Sequence, residues 1–176
     1  MIRILGTTHL HQPVAPGFLV PQDIERDQKE HYRAVIDSFL EGTVNWFIGE
    51  EFTHGKETFS SIHANRHEYV NIEMPHEIRI ALDIPPGYAD EGTPFSPEQV
   101  EEKHRIRERY MFDQAVAHCR KLSESLIVCG LQHLTGLQTL FATEFRDIKI
   151  IDLRREQWFL TDWRFDAMNR DKFTGL

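Results

Sequence analysis

Cysteine is nearly absent from this chain. Cys119 and Cys129 are its only two, and they do not form a C-x-x-C pair. That spacing argues against a disulfide framework and fits a reducing compartment. Long hydrophobic runs are missing too, and none approaches the length of a membrane span. Met1 is followed by a short strand-like pattern rather than by a basic region and a long apolar one, so a cytoplasmic location is expected. Basic residues are the minority: 20 Lys and Arg stand against 28 Asp and Glu, a formal net charge of -8. This balance argues against nucleic acid as the main partner. The chain also lacks G-x-S-x-G, G-x-G-x-x-G and G-x-x-x-x-G-K. A serine nucleophile elbow, a dinucleotide fingerprint and a phosphate loop are therefore not expected.

What is present is an ordinary globular composition, 40% hydrophobic and 27% charged over 176 residues. That length suits one domain, 1–176, with a real core. Ten histidines are the informative excess, because imidazole binds metals and titrates near neutrality.

Short apolar runs at 2–5, 44–48, 77–84, 126–129 and 148–153 predict five strands. Helical periodicity predicts helices over 23–41, 52–69, 96–122 and 134–144. Ser96 or Pro97 opens the longest of these, and Gly42 stops the first. Pro and Gly make loops of 11–20 and 88–97. The alternation of strands and helices implies an α/β fold, a three-layer sandwich with a largely parallel central sheet of about five strands. The aromatic segment 156–176, with Trp158, Phe159, Trp163, Phe165 and Met168, is expected either to dock on its own domain or to form an oligomer interface, a homodimer being the simplest case.

Two of the strands end alike. The run Ile2-Arg3-Ile4-Leu5 leads to Gly6-Thr7-Thr8-His9, and Leu126-Ile127-Val128-Cys129 leads to Gly130-Leu131-Gln132-His133. A glycine lets the backbone turn sharply, and a histidine three residues on can reach the crevice beyond the strand end. The second predicted strand runs into Glu50-Glu51. Two adjacent carboxylates alternate in direction, so one is expected in the crevice and the other toward solvent. His9, His133 and a glutamate suffice either for a metal with open positions or for metal-free acid–base chemistry. His9, His133 and Glu50 are the metal-ligand candidates, and the ion would be divalent and of unknown identity. His11 and Gln132 are expected as local hydrogen-bond partners. His54, His63 and His67 are expected on a solvated surface. Within the charged run of 101–109, most side chains should face water, with one arginine free to turn inward as an anion clamp.

These residues resemble a family. Gly6-Thr7-Thr8-His9, Glu50 or Glu51, Arg107-Glu108-Arg109-Tyr110-Met111, and Gly130-Leu131-Gln132-His133 followed by Gly136-Leu137 match, in order, the short motifs of the TraB/TIKI group. That group belongs with the GumN/ChaN-like and erythromycin-esterase-like proteins. The resemblance spans most of 2–153. It implies hydrolysis in a cleft holding His9, a glutamate and His133, with Arg107 in support. Some TIKI-type members are metal-dependent proteases, and the esterase-like ones open a lactone.

Three expectations follow. The first is a hydrolase in which Glu50 or Glu51 activates water, His9 and His133 bind metal or serve as acid and base, and Arg107 steadies an anion. Its substrate would be a small ester or amide, or a peptide. The second is a non-catalytic module of the same fold that holds a small ligand or metal. The third is an interaction protein that uses its aromatic tail.

Overall fold

The computed structural model describes residues 1–14, 22–52, 57–85 and 94–159. Five strands, β1 (Ile2–Thr7), β2 (Phe47–Glu50), β3 (Glu68–Asn71), β4 (Ser125–Gly130) and β5 (Ile148–Asp152), form one sheet in the order β3-β2-β4-β1-β5. Every neighbouring pair is parallel. Strands of a parallel sheet are buried on both faces, so they read as continuous apolar runs. β4 is the clearest case, with all six of its residues buried.

Its side chains alternate between two cores. Leu126 and Val128, with Leu5 and Ile48, pack against Tyr32, Ile36 and Leu40. Those three residues recur every four positions along helix α1 (Gln22–Leu40) and line its apolar face. Ile127 and Cys129, with Ile4 and Phe47, pack on the opposite face. Their partners there are Met111, Phe112, Ala115 and Cys119 of helix α3 (Pro97–Lys121), and Leu134, Leu137 and Phe141 of helix α4 (Leu134–Ala142). The result is the expected three layers. Ser96 caps α3 with a complete capping box: its hydroxyl accepts from the Gln99 amide, and the Gln99 side chain accepts from the Ser96 amide.

Two predicted elements are different in the structure. The expected helix over 52–69 is absent where the chain is described, which leaves out 53–56. A single 3-10 turn, Ser61–His63, precedes β3 instead. The Thr58 amide donates to the Ser61 hydroxyl at 2.8 Å, and the Ser61 amide donates to the Thr58 hydroxyl at 3.0 Å. Such local side-chain bonds compete with helix formation. The expected strand over 77–84 is a short helix, α2 (His76–Ala81). Its alternating Ile78, Ile80 and Leu82 belong to no sheet and are exposed. Asp83, at φ 52°, ends that segment. β3 thus replaces 77–84 as the third of the five strands. β2 begins at Phe47 rather than at 44, because Asn45 at φ 60° breaks the extended backbone before it.

His67 is buried and accepts from the Trp46 amide at 3.2 Å, contrary to the solvated surface expected for it. His63 lies 3.0 Å from an Asp37 carboxylate oxygen. Trp158 and Phe159, within the described part of the aromatic segment, pack against the core shared by Leu5, Tyr32 and Leu153. His54, most of the loops 11–20 and 88–97, and the tail from 160 lie outside the described residues. Among the described residues, no helix is long and apolar enough to cross a membrane.

Candidate functional site

β1 and β4 are neighbours, yet their outgoing connections separate. The chain leaving β1 enters α1 on one face of the sheet, and the chain leaving β4 enters α4 on the other. In a parallel sheet this divergence opens a crevice beyond the carboxyl ends of the two strands. The register aligns Thr7 with Gly130 and Glu50 with Val128, so the turns after β1, β2 and β4 end side by side. His9, His133 and the Glu50-Glu51 pair all arise there.

The centre is Glu51, which is fully buried. One carboxylate oxygen, Oε2, accepts from the Gly130 amide at 2.7 Å. The other, Oε1, accepts from Arg107 Nη2 at 2.6 Å. The same Oε1 lies 3.6 Å from His9 Nε2 and 3.5 Å from His133 Nε2. Burial alone would raise the Glu51 carboxyl, but His133, His9 and Arg107 together hold it well below the usual carboxylate range. Two histidines separated by most of the chain therefore meet at one oxygen.

Each imidazole is fixed from behind. Gln12 donates both of its amide N–H bonds, to Glu50 Oε1 and to the Glu51 carbonyl, each at 3.0 Å. Its oxygen is left to accept from His9 Nδ1 at 2.7 Å. The His9 ring is about one-third exposed, with a side-chain exposure of 34%. Burial lowers its pKa, but the Glu51 carboxylate and the Gln12 oxygen prevail and push it up to about 9. His133 is fully buried and places its Nδ1 3.1 Å from Glu108 Oε1. Among the described residues its Nε2 has no hydrogen-bond partner. The ring of His104 lies edge-on to that of His133, 5.0 Å between centroids.

Glu50 and Glu51 diverge as strand geometry requires, but both are fully buried, and neither faces solvent. Glu50 points away from the two imidazoles. It accepts from Thr58 at 2.6 Å, Tyr69 at 2.8 Å and Gln12, and its burial raises its pKa. The structure thus pairs both histidines with Glu51. Arg107 does turn inward, and the anions it clamps are internal: Glu51, and both oxygens of Glu73 at 2.9 and 2.8 Å. Glu73 is raised by burial and by the charge of Glu51. His11 serves locally, 3.2 Å from both Thr7 and Gln28, and burial lowers its pKa to about 4. Gln132 is exposed.

Gln12, Glu73 and Glu108 join the site without having been expected. Glu73 lies just past the end of β3, so the strand-end rule finds it once that strand is recognised. Gln12 follows His9 at the same three-residue step, and Glu108 was hidden in a charged run.

Two imidazole nitrogens and a carboxylate oxygen are a donor set that divalent transition metals accept. In this arrangement, however, the fixed charge of Arg107 already sits 2.6 Å from the shared oxygen. Among the described residues, no three His, Cys, Asp or Glu side chains are disposed as a metal-holding group. A cation bound at that oxygen would have to share it with Arg107 or displace it. Comparisons with family models, curated proteins and solved structures found no match.

Proposed function

We propose that this chain is a hydrolase of the TraB/TIKI-like kind, acting by metal-free acid–base chemistry on a small ester, an amide or a peptide. One observation carries the reading. Two imidazole Nε2 atoms, from separate strand ends, lie 3.5 and 3.6 Å from one oxygen of a fully buried glutamate. Holding two histidines at a single buried carboxylate serves no packing need that apolar side chains would not meet better.

The roles follow from the surroundings. Among the described residues His133 Nε2 has no hydrogen-bond partner, which leaves it to accept a proton from an attacking water. As that water's oxygen bonds to the substrate carbonyl carbon, negative charge develops on the carbonyl oxygen. His9 is held protonated at neutral pH and is the more exposed of the two rings. It steadies that charge, then donates its proton to the leaving oxygen or nitrogen as the scissile bond breaks. Glu51 is too acidic and too fully engaged to act as the base. It anchors the protonated His9 ring, and Arg107 balances its charge.

The test is turnover of p-nitrophenyl acetate, a simple lactone and an aminoacyl p-nitroanilide. Turnover of at least one should fall by roughly 100-fold in both His9→Ala and His133→Ala, in variants shown to be folded. Unchanged turnover in either variant, or none by the parent protein on any substrate class, rejects the reading. Stoichiometric metal in the purified protein, lost in both variants, would replace the acid–base assignment with a metal-assisted one.

A further inference from the structure

We propose that Glu108 is the positioning residue of His133, and that Gly136 is the opening in the fold that admits it. The argument begins in the charged N-terminal half of α3. Most of that run is solvated, but Arg107 and Glu108 are each only 6% exposed. Arg107 is accounted for by Glu51 and Glu73. Glu108 instead presents Oε1 to His133 Nδ1 at 3.1 Å.

An ionised carboxylate only accepts hydrogen bonds. When the His133 ring is neutral, its one proton therefore sits on Nδ1, which leaves Nε2 as a lone pair. That nitrogen is the one 3.5 Å from Glu51 Oε1, and among the described residues it has no hydrogen-bond partner. Glu108 thus fixes both the tautomer and the ring angle. Without it, the proton is free to move to Nε2, where the Glu51 carboxylate would attract it and occupy the reactive face. Gln12 plays the matching part behind His9, with a neutral amide oxygen in place of a charged carboxylate. The two rings are thereby made unequal.

The second observation is steric. A Cβ at Gly136 would lie 1.9 Å from Glu108 Oε2, 2.2 Å from Cδ and 2.7 Å from Oε1. The carboxylate fills the volume that any other residue's side chain would need. Glycine is a poor residue within a helix, and here it stands in the first turn of α4. Its cost is explained if the space is reserved for Glu108.

The consequence for turnover rests on the hydrolytic reading above, but the tautomer does not. Long-range nitrogen–proton NMR reads directly which His133 nitrogen carries the proton. The parent protein should show Nδ1–H. Glu108→Met, which is similar in length and apolar, should shift His133 toward Nε2–H. Gly136→Ala should do the same while leaving both Glu108 and His133 intact. Adding Glu108→Asp to Gly136→Ala shortens the carboxylate and should restore Nδ1–H. In the hydrolytic assay, each single variant should lose roughly 10- to 100-fold in kcat with little change in KM. Retention of Nδ1–H in both single variants overturns the proposal, even if turnover is present. A tautomer shift in a protein with no turnover keeps Glu108 as the positioning residue and removes only the hydrolytic reading.

Discussion

Arg107 spends its charge on two buried carboxylates. Its Nη2 reaches Glu51 and Glu73, and the three side chains are 7%, 0% and 4% exposed. Removing the cation leaves Glu51 to the two imidazoles and Glu73 to Arg79 at 3.9 Å, with both carboxylates still out of water, a far worse state than the pair itself is a good one. Arg107→Met should therefore cost about 3–5 kcal/mol in urea unfolding. A loss below about 1 kcal/mol would show the cluster to be as weak as a surface pair. At this scale the sequence was only partly legible. His9, His133 and the Glu50-Glu51 pair were visible because a strand end needs no tertiary knowledge to be recognised as a place where side chains gather, but which of the two glutamates meets the imidazoles was not. Glu73, Glu108 and Gln12 were not, because nothing local distinguishes a buried glutamate from a solvated one. Which face of α3 points inward at 107–108 is decided by α4 and the sheet, not by the run of charges itself.

Among the elements, α3 carries the most explicit local signal. Its capping box satisfies two otherwise orphaned backbone groups at the start of a 25-residue helix. Ser96→Ala should lower stability by about 1 kcal/mol in thermal or denaturant unfolding. No measurable loss would mean that water replaces the cap. The strands β1, β4 and β5 and the helices α1, α3 and α4 were legible for a common reason: each is long enough, or apolar enough, for its period to exceed the noise. The segment 57–85 was not. There, Ile78, Ile80 and Leu82 alternate as in a strand but line a short solvent-facing helix, while the real strand, β3, has four residues and only half-buried Tyr69 and Val70 at its centre. A short edge strand offers little pattern to read, and its partner β2 decides its conformation.

For the whole molecule, two histidines should bound the pH range of stability. His11 is held to about 4, below its ordinary value, by burial, which the hydrogen bond to Gln28 only partly offsets. The unfolded chain binds that proton more readily. The contribution of His11 is thus complete above about 6.5 and is lost as pH falls toward 4. His9 runs the other way. Burial opposes its charge, Glu51 prevails, and the pKa reaches about 9. Its contribution is complete below about 6.5 and fades as pH rises through 9. Midpoint denaturation across that range should trace a dome. His11→Asn should flatten its acid limb, and His9→Gln its alkaline limb. Limbs unchanged by these substitutions would locate the pH dependence elsewhere, in the carboxylates.

The sheet order β3-β2-β4-β1-β5 also has a consequence in time. The strand that joins β2 to β1 is the fourth to be synthesised. A nascent chain that stops short of Ser125 holds β1 and β2 with no common neighbour, each with an open edge that invites mispairing. Glu51 then lacks the Gly130 amide, and His9 lacks its counterpart His133. Insertion of β4 closes the gap and completes the site in one event. Any chemistry of this cleft is therefore withheld until the central strand is in place, and a truncated product carries none of it.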